Sequence, residues 1–74
     1  MTKEAYIYEL KQIKVSMEKA RETLSPDEFH DLIEWYEGQA LGVIHMAIRD
    51  TDVTSGDFDP VLELKEEIIK EARR

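Results

Sequence analysis

Cysteine is missing from these 74 residues, so neither a disulfide nor a thiolate-held metal can form. That fits a reducing, cytosolic compartment. Glycine and proline are scarce, three and two residues, and no glycine-rich loop opens a helix, so no phosphate cradle or nucleotide fingerprint is present. No apolar run approaches the roughly 20 residues that span a bilayer. Lys3 and Glu4 near the start, with no long apolar run after them, are not what is expected of a secretory leader. The expectation is a soluble cytoplasmic protein with no membrane partner. Strand-like alternation, internal repeats and low-complexity tracts are also lacking.

Positive charge is in deficit. Ten basic residues stand against seventeen acidic ones, a net charge of −7. An acidic chain gains nothing from counterion release at phosphates, which argues against direct nucleic-acid binding. It favours a protein partner with a basic surface.

What is present is helical periodicity. Ser25, Pro26 and Glu28 mark a strong helix start, with a capping box and proline at the first position. From there to about Arg49, at 100° per residue, Phe29, Leu32, Ile33, Tyr36, Ala40, Val43, Ile44 and Ala47 share one broad face. That face is the expected core. The opposite side is acidic at first, through Asp27, Asp31, Glu34 and Glu37. Between Ala40 and Ile48 it turns apolar, leaving His45 as the one polar side chain among Leu41, Gly42, Met46 and Ile48.

A helix apolar all round must be covered all round. Two neighbouring helices from a chain this short can hardly do so. Gly38 and Gly42, four apart, each cost roughly 1 kcal/mol relative to alanine inside a helix. Their spacing is similar to the small-xxx-small contact through which helix backbones approach. The expectation is that Trp35, Gly38, Leu41, Gly42, His45, Met46 and Ile48 form an interface, the alternative being that the first helix of the same chain packs on the glycines. His45 would hydrogen-bond across such a contact, or else make assembly pH-sensitive.

On either side lie two further helices. Tyr6, Leu10, Ile13, Met17, Ala20 and Leu24 repeat with a bundle-seam spacing after a Thr2 cap, while Tyr8 and Val15 fall off the seam. Lys11, Lys14, Lys19 and Arg21, interleaved with glutamates, read as a solvated face. Residues 50–59, DTDVTSGDFD, read as a connection in which Gly56 permits a positive φ. A third helix is expected from Asp59, with Pro60 first, to about Ala72. Its stripe is Phe58, Val61, Leu62, Leu64, Ile68, Ile69 and Ala72, with Lys65 snorkelling.

The expected fold class is therefore all-α: a small three-helix bundle with a long central helix, one domain over 1–74, helices about 3–24, 26–49 and 60–72, assembled as a homodimer. A chain of this size is marginal alone, and oligomerisation is the reinforcement left to it.

Chemistry is harder to find. Asp50-x-Asp52-x-Thr54 opens like a calcium loop, but Ser55 stands where glycine is needed and Val61 where the bidentate glutamate belongs. Asp27, His30, Asp31 and Glu34 lie on adjacent turns, yet no second Glu-x-x-His set accompanies them. Ser16, Ser25 and Ser55 are a mid-helix residue, a cap and a turn, with no base arranged behind them. The chain is expected not to be an enzyme and to need no cofactor or metal.

The functional expectation is a protein–protein interaction module, acting as a regulator, inhibitor or adaptor and self-associating through the central helix. The alternative is a DNA mimic, whose acidic surface of Asp27, Asp31, Glu34, Glu37, Asp50 and Asp52 occupies the basic site of a partner.

Overall fold

Three helices in sequence account for nearly all of the chain: α1 Lys3–Thr23, α2 Pro26–Arg49 and α3 Phe58–Ala72. They are seen in a computed structural model that describes residues 2–51 and 53–73. No strand occurs among these residues, and no helix is long and apolar enough to cross a membrane.

The long dimension is 41 Å, against 16 Å in the other two. At 1.5 Å per residue the 24-residue α2 runs about 36 Å, so this helix sets the length of the molecule. Its start is held by local chemistry. The Ser25 hydroxyl accepts the Glu28 N–H at 3.3 Å, and the Glu28 carboxylate accepts the Ser25 N–H at 3.2 Å. Pro26 adds no unsatisfied donor there. At the end of α1 the Leu24 N–H returns to the Ala20 carbonyl, and the two-residue turn sends α2 back antiparallel.

One core lies between the helices. Tyr6, Leu10, Ile13 and Met17 from α1 meet Phe29, Tyr36, Ala40, Val43, Ile44 and Ala47 from α2 and Val61, Ile68 and Ala72 from α3. Ala20, Leu24, Leu32, Ile33, Phe58 and Leu64 are packed against it, partly buried. Polar contacts tie the same helices. The Tyr6 hydroxyl donates to Asp50 at 2.5 Å, Lys14 pairs with Glu67 at 3.3 Å, and Arg21 lies 4.8 Å over the Phe29 ring while donating to the Glu71 carbonyl.

Several local expectations need correction. Thr2 sits at the N-cap of α1, but its side chain makes no capping bond; only its carbonyl is used, by Ala5. Helix α3 begins at Phe58, two residues earlier than the spacing predicts, after a 3₁₀ turn at Ser55–Asp57. Pro60 is thus the third helical residue, still within the first turn, whose N–H groups lack helical partners anyway. Gly56 lies in that turn with φ negative, so its conformational freedom is unused. Lys14 and Arg21 are not simply solvated, since they bridge to α3. Leu62 lies on the expected stripe but is exposed, and Val53, in the connection, is buried. Lys65 does lie along the surface, with its ammonium 2.7 Å from Glu66.

The two caps also contribute to the response to acid. Glu28 is held below the ordinary glutamate range, first by the Ser25 N–H and then by the Ser25 hydroxyl. Asp57 is lowered by the Thr54 N–H, then by the Thr54 hydroxyl, with Lys3 at 3.6 Å assisting. A carboxyl lowered on folding contributes stability above its unfolded pKa, about 4, and loses that contribution as pH falls through the lowered value. Their share of the unfolding free energy is therefore expected to fall as the pH drops below about 4. Glu28→Gln with Asp57→Asn, which keeps acceptors but removes the charge, should flatten that decline in urea titrations at stepped pH.

Candidate interaction surface

The rear of α2 is bare. Trp35 is 55% exposed, Leu41 42%, Met46 56% and Ile48 62%. Gly38, Gly42 and His45 are exposed between them. On the outward side of α2, Trp35, Gly42 and Met46 lie toward one flank and Leu41, His45 and Ile48 toward the other, as 100° spacing requires. Neither α1 nor α3 covers them, because both helices dock on the opposite, core-facing side.

Gly38 and Gly42 are informative through what surrounds them. A Cβ built at either position meets nothing within 4 Å, and neither glycine has a positive φ. Within the protomer, nothing approaches their backbone closely enough to require the missing side chain. The first helix does not pack on them. The Trp35 ring stands edge-on to its neighbour Tyr36, at 4.9 Å and 70°. Tyr36 in turn is buried and stacks on Phe29 at 6.5 Å.

Around this strip the charges are unevenly placed. Asp27, Asp31 and Glu34 lie on the exposed side of the first three turns, while Arg49 closes the last. Two members of the expected acidic surface depart from it. Glu37 is half-buried and turns toward α3, where Arg73 donates to it through Nη2 at 3.1 Å while Nε stands 3.1 Å from the other oxygen. Asp50 is half-buried and accepts the Tyr6 hydroxyl. Helical register alone places Glu37 at the edge of the polar face; the packing of α3 beside it decides which way it turns. Asp52 and Arg74 lie outside the described residues.

Other places offer less. Among the described residues, no three His, Asp or Glu side chains converge as metal ligands. In the connection, Asp57 and Asp50 are engaged by Thr54, Lys3 and Tyr6. A shallow depression of about 520 Å³ between α2 and the end of α3 is lined by His30, Asp31, Ile33, Glu34, Ala72 and Arg73. It brings His30 beside two of the carboxylates singled out by sequence, and no serine or threonine lines it. Tyr8 and Val15 are both exposed on α1, 61% and 45%, away from the seam.

Sequence reasoning missed Val53 and the exposed Leu62. A lone valine among polar linker residues gives no periodic signal, and Leu62 shares the α3 stripe with residues that are buried. The chain matches no protein-family model, no curated protein and no solved structure.

Proposed function

We propose that this chain is a protein–protein interaction module that associates with a second copy through the rear of α2 and acts by binding another protein, as a regulator, inhibitor or adaptor. The observation that carries the reading is the exposure of Trp35, Leu41, Met46 and Ile48 around two glycines that the protomer itself does not use. Large apolar side chains gathered on one exposed face mark interaction sites, and aromatic and methionine anchors dominate the energetics of interfaces.

The alternative, an acidic decoy for a nucleic-acid-binding site, draws less support. Glu37, Asp50 and Asp57 are engaged within the chain, which breaks up the continuous array that such imitation needs. The remaining carboxylates suit the commoner role of keeping a small protein soluble.

Trp35 is the single tryptophan, so its fluorescence reports this face alone. On raising the concentration its emission should shift to the blue as the ring leaves water, in step with a doubling of mass by light scattering. Trp35→Ala should weaken self-association by about thirtyfold, the effect of losing one strong anchor. A mass that stays monomeric at every concentration, with unshifted emission, would overturn the self-association.

A further inference from the structure

The exposed face of α2 has a sense of direction. Its first half carries Asp27, Asp31 and Glu34, and its last turns carry His45 and Arg49. Among the described residues, Asp31, Glu34 and Arg49 make no ion pair within the protomer. Both ends of the strip are therefore unspent. Packing two copies in parallel would bring like carboxylates together at one end. Turning one copy round brings opposite charges together at both.

We infer that the second copy lies antiparallel, with its two-fold axis passing between Gly38 and Gly42. This rests on the self-association proposed above and adds its geometry. A two-fold perpendicular to the helix pairs residues whose numbers sum to about 80 and which lie to the same side of the face. Asp31, on the midline, then meets Arg49 of the second copy. Glu34 meets His45, both displaced toward α3. Trp35 meets Met46, both displaced toward α1, an aromatic–thioether contact of a favourable kind. Each pairing occurs twice by symmetry, as an isologous interface demands. The glycines fall at the crossing, where two helix backbones come nearest and a side chain is least tolerable.

This complementarity is a property of one face read against itself. The outer face of α1 mixes lysines and glutamates along its whole length, and α3, which also runs from Asp59, Glu63 and Glu66 to Lys70, exposes Leu62 as its one large apolar side chain among the described residues.

The absence of native cysteine makes the test clean, since a single introduced thiol carries a spin label without side reactions. Asp27→Cys places the label at the far acidic end of the face. Double electron–electron resonance on the labelled full-length chain should give a separation of about 40 Å, the rise of twenty-six helical residues. A distance below about 20 Å would mean parallel packing and would overturn the antiparallel geometry while leaving self-association standing. No dipolar coupling, together with a monomeric mass, would overturn both. The charges supply a second arm. Arg49→Glu should weaken the dimer about tenfold, and adding Asp31→Lys should restore it to within about threefold, as a double-mutant cycle across two symmetric pairs requires. Losses that simply add would show that Asp31 and Arg49 do not face one another.

Discussion

Truncating Leu10 to alanine is expected to leave the protein largely unfolded at temperatures where the parent chain is still native. Leu10 is completely buried, as are Val61 and Ile68, and Met17 nearly so. They belong to one cluster to which all three helices contribute. Removing a buried leucine side chain loses its transfer free energy and opens a cavity, together about 2–5 kcal/mol. The whole stability of a small domain is only about 5–15 kcal/mol, and short chains sit at the low end because they bury a smaller share of their surface. For a domain of this size each kcal/mol moves the melting midpoint by about 4–8 °C, so a fall of 10 °C or more is expected. Val15→Ala, on the outer face of α1, should stay within about 0.5 kcal/mol of the parent. Thermal and urea melts followed by circular dichroism measure both. A Leu10→Ala midpoint within a few degrees of the parent would mean that this cluster does not hold the bundle together.

Gly42→Leu is expected to abolish self-association while making the isolated protomer more stable. The opposite signs are what give the experiment its value. In the protomer a Cβ at this position meets nothing within 4 Å, and the glycine already has ordinary helical geometry. Leucine therefore enters without strain and raises helix propensity by about 0.8 kcal/mol. At the proposed crossing the same side chain keeps two backbones apart and separates Trp35 from the anchor opposite it. Losing close packing of that kind should weaken the dimer by about a hundredfold or more. Melting has to be followed at low concentration, where association does not itself add to the apparent stability. A variant that keeps the parental mass by light scattering, with the protomer stabilised, would remove the rear of α2 as the association surface.

Much of the fold was legible in the residues because each helix carries its own instructions. The capping box of Ser25 and Glu28 is formed as the spacing predicts, since it depends on four consecutive residues and on nothing distant. The core stripes of α1 and α2 agree with the burial almost residue for residue, because a 3.6-residue period leaves little choice of face once burial is required. The start of α3 was less legible. Pro60 suits a first helical position, yet a preceding 3₁₀ turn feeds the helix two residues sooner, and both arrangements leave proline in the unpaired first turn.

Long-range polar choices were not legible at all. Tyr6 and Asp50 are separated by forty-four residues, and Glu37 and Arg73 by thirty-six. Each carboxylate sits at the border between the core and the solvent faces, where register permits either direction. Val53 is buried although its neighbours in sequence are polar, because the connection has to cross the end of the bundle. Propensity is blind to that crossing.

By itself, then, the sequence determined three helices, their limits to within two residues, their inward faces, and the presence of more apolar surface on α2 than one face can use. Only the tertiary structure decided where that surplus goes. Sequence periodicity counts apolar residues around a helix but contains no term for how many neighbours arrive. Here α1 and α3 both settle on the core side of α2, and Trp35, Leu41, Met46 and Ile48 are left in water around two glycines where a Cβ would meet nothing within 4 Å.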